Sequence, residues 1–270
     1  MTSVAPISSQ NVPQVRLMCL ATHHKGGTVW MKQIIKALAV ECNIPWIGIW
    51  SDAQVQNIPE AGPAFLVNWH GWFPSSVWDR DDIAVLHIIR DPRDILLSGC
   101  EYHHHAGKKG EEFLHTPRQD LGGRTYQQTI ASIDGLEDKL LFEMRDKHAE
   151  TLSEMRLWPY DHPASMTLRY EDLTNDTTGD LFRSAMVHWG LAPHEQDIAV
   201  SIFLEKSLFA ENKDRSLRAG HVQSGETMRW RKELPYAVGK VYAREFGNDL
   251  IELGYEATLD WAQAMQGDVH

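Results

Sequence analysis

The segment from Val15 to Glu41 limits the possible folds more than any other part of the chain. It starts with the apolar run VRLMCLA at residues 15–21, passes through THHKGGT, and continues with apolar residues at helical spacing over residues 28–41. An apolar run of this kind, bounded by a loop, is typical of a strand buried on both faces of a parallel sheet. The segment therefore predicts a strand, a glycine-bearing turn and a helix in succession.

Strands and helices alternate along the rest of the chain. Further strands are predicted at residues 44–50, 64–69, 83–89 and 164–170, and further helices at residues 92–104, 136–157, 178–190 and 194–209. Residues 1–13 are polar and predict a flexible tail, and residues 105–125 predict a mobile surface loop. This order favours one domain over residues 14–270, a three-layer α/β/α fold with a central parallel sheet. Ligands of such sheets bind at the carboxyl ends of the strands.

The composition disfavours some classes of binding partner and favours one type of cellular compartment. The chain has 26 basic and 37 acidic residues and a formal charge of -11, which disfavours long nucleic acids and anionic membranes as partners. Its cysteines, Cys19, Cys42 and Cys100, have neither disulfide-framework nor metal-site spacing and favour a reducing compartment. The sequence shows no signal-peptide pattern and no apolar run long enough for a bilayer, so we expect a cytoplasmic protein without membrane insertion.

The turn after the first strand has the features of an anion-binding loop. Lys25 supplies a full positive charge, Gly26 and Gly27 allow a ligand to approach the backbone, and Thr28 begins a helix whose N-terminus favours an anion. A triphosphate-binding loop has a hydroxyl residue directly after the lysine to hold Mg²⁺, whereas here Gly26 follows Lys25. The loop thus fits transfer of a singly charged group without metal. A simple glycine turn beside an exposed lysine is the alternative.

Several motifs together resemble those of the cytosolic-type sulfotransferases that use 3′-phosphoadenosine 5′-phosphosulfate (PAPS). The stretch His24-Lys25-Gly26-Gly27-Thr28-Val29-Trp30 resembles the family's P-K-S-G-T-T-W loop. Arg90-Asp91-Pro92-Arg93-Asp94 followed by Ser98 resembles its second signature, and residues 170–173 (YEDL) and the basic stretch 218–230 match more weakly. The resemblance implies a P-loop-like α/β fold. Gly26, Val29 and Ala219 depart from the usual Ser, Thr and Lys, and Gly225 is an alternative to Gly220 in the late motif.

The resemblance also implies roles for individual residues. Lys25 would contact the phosphosulfate and the departing oxygen, with Gly26, Gly27 and Thr28 around the same group. The adenine would lie near Trp30 and Tyr170. The 3′-phosphate would be held by Arg90 and Ser98, with Arg218 and Gly220 completing the site. Lys25, His70 and Ser98 form the expected catalytic set.

Among the 14 histidines, His70 is the candidate general base. It follows a predicted strand, and it precedes Arg90 by the interval at which the resembling family places its catalytic histidine. An imidazole exchanges protons near neutral pH, which suits that task. A hydrogen-bonded structural histidine is the alternative. For the triplet 103–105 we weigh a metal site against a place on the rim of the acceptor pocket or the surface, and favour the latter. His23 and His24 could add positive charge beside the loop or serve in packing.

The resemblance thus implies a PAPS-dependent sulfotransferase that releases PAP, the desulfated nucleotide, and the loop predicts that no metal is needed. Its acceptor would be a hydroxyl or amine of a small, apolar or aromatic molecule, because aromatic residues lie close to His70 in the sequence: Trp69, Trp72, Phe73 and Trp78. Two alternatives stay open. One is a P-loop kinase-like phosphotransferase with Asp91 as its metal-binding residue, and the other is a non-catalytic protein that binds PAP.

Overall fold

A computed structural model describes residues 15–108, 110–207 and 226–265 of the protein. Its strands are β1 (Leu17–Ala21), β2 (Trp46–Gly48), β3 (Ala64–Asn68), β4 (Ile83–Ile89) and β5 (Ser165–Arg169). They form one sheet of order β2-β3-β1-β4-β5 in which every pair is parallel. Each strand lies within one of the predicted strand segments, so the predicted parallel sheet is confirmed. The tail predicted over residues 1–13 lies outside the described residues.

Helices connect and cover the strands. They are α1 (Thr28–Glu41), α2 (Ser75–Trp78), α3 (Pro92–His103), α4 (Glu112–His115), α5 (Tyr126–Ser132), α6 (Leu136–Arg145), α7 (Lys147–Arg156), α8 (Tyr170–Asn175), α9 (Asp180–His188), α10 (Pro193–Lys206), α11 (Trp230–Glu233), α12 (Tyr236–Glu252) and α13 (Trp261–Ala264). Short 3₁₀ turns occur at Asp52–Asn57 and Gln119–Leu121.

Both faces of the sheet are buried, which explains the continuous apolar runs of its central strands. On one face, Met18 and Leu20 of β1 pack with the apolar side of α1 and with residues of α8, α9 and α10. On the other face, Leu17 and Cys19 pack with apolar residues that include Trp158, while α3 and α7 contact the end of β4. The predicted α/β/α layering is confirmed.

The sheet order creates a crevice where the site residues are expected. From β1 the chain passes through α1 to β2 at one edge of the sheet, whereas from β4 it proceeds to β5 at the other edge. Because β1 and β4 are neighbours and their connections diverge, a crevice opens beyond their carboxyl ends. The turn at residues 22–27 and the start of α3 both border this crevice.

Two expectations need correction or refinement. The predicted helix over residues 136–157 is two helices, because Asp146 leaves the helical conformation (φ -115°, ψ -105°) and its carboxylate accepts a hydrogen bond of 2.9 Å from Arg118. The segment 105–125, predicted to be a mobile surface loop, contains α4 and a 3₁₀ turn. Leu114 of α4 is fully buried and anchors this segment to the protein.

All three cysteines are free thiols. Burial raises the pKa of Cys19 and Cys100, which keeps both thiols protonated. In the described ranges, no helix combines the length and apolar character that crossing a membrane requires.

Candidate active site

The turn between β1 and α1 is shaped by two residues with positive φ. Lys25 has φ 59°, and Gly27, which caps α1, has φ 103°. The carbonyl oxygen of His23 accepts hydrogen bonds from the Gly26 N–H at 2.8 Å and the Thr28 hydroxyl at 3.0 Å. Two of the donors predicted to hold a ligand therefore stabilise the turn itself. The first turn of α1 still presents N–H groups that have no intrahelical acceptor, and these favour an anion.

The Lys25 side chain lies against an aromatic ring in a partly buried position. Its Nζ is 3.6 Å from the centroid of the Tyr102 ring. Burial lowers the pKa of Lys25 to about 8, the charge of Glu111 opposes this, and the charge of Arg90 adds to it. The ammonium group is therefore poorly solvated, and an anionic partner would stabilise its charged form.

Arg90 follows β4 and reaches the turn. Its Nη1 donates to the carbonyl oxygen of Lys25 at 3.2 Å, and its Nη2 donates to that of Glu226 at 3.2 Å. The guanidinium carbon lies 4.7 Å from the centroid of the Tyr170 ring. Arg90 Nε is buried and has no hydrogen-bond partner among the described residues. The structure thus brings Lys25, Arg90 and Tyr170 together, as one nucleotide site requires.

The Tyr170 ring also lies against the turn at Gly27. A Cβ added to Gly27 would lie 2.9 Å from the Tyr170 ring, so the close approach requires glycine there. Trp30 packs edge-on against Tyr170 with a centroid distance of 5.8 Å and also contacts Phe203. Since Trp30 is only 3% exposed, it supports the site from within the core.

The remaining predicted nucleotide residues lie on α3 or outside the described chain. Ser98 is half-buried on α3, one helical turn beyond Asp94. The Asp94 carboxylate accepts hydrogen bonds from the N–H groups of Met228 at 2.7 Å and Trp230 at 3.0 Å, which fixes the end of the late basic stretch beside the site. Arg218, Gly220 and Gly225 fall within residues 208–225, which lie outside the described residues.

Residues 91–94, with the sequence D-P-R-D, stabilise the start of α3 in addition to positioning Arg90. Asp91 caps α3 by accepting a hydrogen bond from the Arg93 N–H at 2.9 Å. The Arg93 side chain is buried, pairs with Asp91 at 2.8 Å and lies 3.5 Å from the centroid of the Trp230 ring. These contacts attach the segment after residue 226 to the start of α3.

His70 lies just beyond the carboxyl end of β3, beside the turn that follows β1. The Asn68 side chain accepts a hydrogen bond from the His70 N–H at 2.7 Å, and the Gly71 N–H donates to the Thr22 carbonyl oxygen at 2.9 Å, so this turn is attached to the end of β1. The His70 side chain is 57% exposed, and its Nδ1 lies 3.9 Å from a Glu154 carboxylate oxygen. It is accessible to an acceptor molecule.

The aromatic residues near His70 in sequence do not all surround it in space. Phe73 is buried in the core beneath the sheet, and Trp78 packs with Phe73 and Trp158. Trp69 packs near Trp50 with a centroid distance of 5.9 Å, and Trp72 is 41% exposed. Their proximity along the chain is thus no guide to the acceptor pocket.

Two histidine pairs beside the turn were not anticipated from the sequence. Nε2 of His23 lies 2.8 Å from Nε2 of His87, and Nε2 of His24 lies 2.8 Å from Nε2 of His103. Burial lowers the pKa of His23, His24 and His87. Of the triplet 103–105, the first histidine is fully buried whereas the other two are exposed. The triplet is thus divided between interior and surface.

Comparisons with solved structures give the same fold. A retinol dehydratase in complex with androsterone and the inactive cofactor PAP aligns with a TM-score of 0.54 and 15% identity, over 88% of this chain and 82% of its own. The mouse sulfotransferase SULT7A1 complexed with PAP aligns with a TM-score of 0.51 and 13% identity, over 94% and 87% of the two chains. Retinol dehydratase with retinol and PAP aligns similarly, with a TM-score of 0.54 at 15% identity over 89% and 83%.

A comparison of the sequence with models of protein families shows which family the chain belongs to. No curated protein matches it. The family model described as "Sulfotransferase domain" matches residues 17–250, a range that runs from the first residue of β1 almost to the end of α12. It includes the turn with Lys25, the strand end with Arg90 and the start of α8 with Tyr170. The chain therefore belongs to the sulfotransferase family.

Proposed function

We propose that the protein transfers a sulfuryl group from PAPS to a small-molecule acceptor. The contact between Arg90 and the turn carries this proposal: Nη1 of Arg90 donates to the Lys25 carbonyl oxygen at 3.2 Å, while its buried Nε has no partner within the described residues. A buried charged donor without an acceptor is costly, and an anionic ligand would satisfy it. PAPS carries anionic groups at the 3′ and 5′ positions of its ribose. The charge of Arg90 acts on the Lys25 ammonium, so the two cations are near enough for one such nucleotide to contact both.

Different residues of the crevice would contact different parts of PAPS, the sulfuryl donor. Lys25 Nζ and the first turn of α1 would hold the phosphosulfate, with Gly26, Gly27 and Thr28 shaping that turn. Arg90 and Ser98 would hold the 3′-phosphate, and Tyr170, supported by Trp30, would contact the adenine. When bound, PAPS supplies the sulfuryl group and a phosphate leaving group. Lys25 stabilises the negative charge that develops on the leaving oxygen, and this preorganised charge is a major source of rate enhancement. Arg218 and Gly220 remain predictions.

His70 is the proposed general base for the acceptor hydroxyl or amine. Its exposure allows an acceptor to reach the ring, and the carboxylate of Glu154, 3.9 Å from Nδ1, can orient the imidazole and stabilise its protonated form. Glu154 also lies 3.6 Å from Nδ1 of the buried His23. The Glu154 carboxylate thus lies near both the exposed His70 ring and the buried His23 ring.

For the acceptor we propose a small molecule with a hydroxyl group on an apolar or aromatic framework. Aromatic rings near the Lys25 ammonium favour this class: Tyr102 contacts Lys25, and Phe113 packs against His24 with a centroid distance of 6.0 Å. Androsterone and retinol, bound by the structurally similar retinol dehydratase, are molecules of this kind. The three free cysteines favour the cytoplasm as the compartment.

A nucleotide titration followed by a transfer assay tests the proposal. We expect PAP to raise the unfolding temperature more than ADP or ATP, and labelled PAPS to transfer sulfate to phenols in excess chelator. Equal stabilisation by ATP together with metal-dependent phosphoryl transfer would instead identify a kinase. Stabilisation by PAP without transfer to any phenol, alcohol or amine would identify a non-catalytic nucleotide-binding protein.

The variant His70→Gln tests the base directly. We expect about a 10²-fold lower transfer rate, within the range typical for loss of a general base, with PAP stabilisation unchanged. His194→Gln on the exposed surface of α10 is the matched control and should behave as the wild type. Unchanged transfer by His70→Gln would remove His70 from the mechanism.

A further inference from the structure

A chain of polar side chains leads from the turn into the protein interior. It starts at His24, the residue before Lys25. Nε2 of His24 lies 2.8 Å from Nε2 of His103. Nδ1 of His103 lies 2.7 Å from a carboxylate oxygen of Glu143, and the Tyr126 hydroxyl donates to the same oxygen at 2.7 Å. His103, Glu143 and Tyr126 are at most 2% exposed. We name this chain the His24 relay.

The carboxylate at its inner end determines where the protons lie. The Glu143 oxygen accepts a hydrogen bond from Tyr126 and is placed to accept one from His103, so Nδ1 of His103 carries a proton and, while this ring is neutral, Nε2 of His103 is an acceptor. Nε2 of His24 must then donate to it, which leaves the lone pair of His24 on Nδ1. Within the described chain, Nδ1 of His24 has no assigned hydrogen-bond partner, so this lone pair is available to a substrate proton.

The outer end of the His24 relay borders the same space as the proposed catalytic groups. Tyr102 links the two, because its ring contacts Lys25 Nζ at 3.6 Å and lies 6.3 Å from the His24 ring. Burial is the main cause that lowers the pKa of His24. Positive charge on His103, when that ring is protonated, and on Lys25, Lys147 and a protonated His70 lowers it further. Lys25 and His70 are therefore close enough to His24 for their charges to act on it.

We propose that His24 is a second proton acceptor for sulfuryl transfer, with His103 and Glu143 as positioning residues. This inference rests on the proposed function. The acceptor O–H bond breaks as an N–H bond forms at Nδ1 of His24, and the proton on Nε2 of His24 moves to Nε2 of His103. The oxygen electron pair forms the new bond to sulfur, while the old S–O bond breaks with its pair on the phosphate oxygen. The positive charge then lies on His103, where the Glu143 carboxylate compensates it.

Acceptors of different acidity separate a base from a structural residue. Assayed one pH unit above neutrality, 4-nitrophenol is mostly ionised and needs no base, whereas 2-naphthol is still protonated and needs one. In a His70→Gln background, we expect His24→Gln to lower transfer from labelled PAPS to 2-naphthol by about a further 10²-fold and to leave transfer to 4-nitrophenol nearly unchanged. His104→Gln, at an exposed position of the same histidine triplet, is the control and should affect neither acceptor.

Two results would overturn the inference while leaving the proposed function intact. One is that adding His24→Gln to His70→Gln lowers the transfer rate equally for both phenols, or lowers it for neither. The other comes from ¹H–¹⁵N spectra of the imidazole groups, which do not depend on any acceptor. We expect a proton on Nε2 and not on Nδ1 in His24, and a proton on Nδ1 in His103. The opposite tautomer of His24 would contradict the inference, whereas a wild type that neither binds PAP nor transfers sulfate would contradict the proposed function.

Discussion

The two sides of the crevice hold their charged and polar groups in different ways. On the nucleotide side, formed by Lys25, Arg90 and Tyr170, the charged groups contact backbone oxygens and aromatic faces. The Asp94 carboxylate lies 3.9 Å from Arg90 Nη2, but the buried Arg90 Nε has no partner in the described chain. On the histidine side, formed by the His24 relay with His70 and Glu154, imidazoles lie beside carboxylates. The nucleotide side thus leaves charge for a ligand to neutralise, whereas the histidine side can move a proton among its own groups.

Lys25→Ala should have the largest effect, because Lys25 serves both binding and the leaving group on the nucleotide side. We expect kcat/KM for 2-naphthol to fall by roughly 10³-fold, the upper range for losing one preorganised charge-stabilising group. PAP and adenosine 5′-phosphate should both bind more weakly in calorimetry. The unfolding temperature of the free protein should stay near that of the wild type, since burial already disfavours the charged lysine. A variant with wild-type kcat would show that Lys25 does not stabilise the leaving group.

Arg90→Gln should act on one end of the nucleotide only. Hydrogen bonds to charged groups contribute about 1.5–3 kcal/mol, so PAP should bind roughly 10- to 100-fold more weakly. Adenosine 5′-phosphate, which lacks the 3′-phosphate, should bind with nearly unchanged affinity, and a Ser98→Ala variant should show the same selectivity with a smaller loss. Equal weakening of both nucleotides by Arg90→Gln would mean that Arg90 acts by holding the Lys25 turn and not through the 3′-phosphate.

The contrast between the two sides also determines what the sequence could predict. Arg90 follows β4 directly and Lys25 follows β1 after three residues, so identifying β1 and β4 places both residues at one edge of the sheet. The His24 relay joins residues 79 and 40 positions apart, and no local pattern connects them. In the sequence, His103 stands out only as part of a triplet, and nothing in that pattern indicates that it alone is buried.

The helices show a similar limit. The apolar pattern of residues 136–157 predicts one amphipathic helix, but the hydrogen bond from Arg118 to Asp146 divides it, and the polar residues Glu143 and Lys147 on either side of the break are buried. Helix α12 is not among the predicted helices, and its buried residues include Gly239, Gly247 and Asp249 as well as apolar ones. Tertiary contacts determine where the helix breaks and which polar residues and glycines are buried, and local periodicity does not reveal either.

The pH dependence of PAP binding should reveal the charge on Lys25. Its pKa is lowered to about 8 in the free protein, so the ammonium form predominates below that pH and is lost above it. Because an anion binds the charged form, the Kd for PAP should rise by about tenfold per pH unit once the pH exceeds the pKa of Lys25. In Lys25→Arg, whose guanidinium stays charged, the Kd should change little over the same range. A wild-type Kd independent of pH would show that PAP binding does not depend on the charge of Lys25.

Glu154→Gln should have the smallest effect and tests how the histidine side supports His70. The carboxylate lies 3.9 Å from His70 Nδ1, and His70 is more than half exposed, so solvent screens the pair and its contribution is about 1 kcal/mol or less. We therefore expect kcat for 2-naphthol to fall about two- to fivefold, with unchanged transfer to 4-nitrophenol and unchanged PAP affinity. Glu137→Gln, at an exposed position of α6, is the control for loss of a negative charge. A loss for both phenols would point to a packing role for Glu154 beside the buried His23, and the support of His70 by a carboxylate would then have to be abandoned.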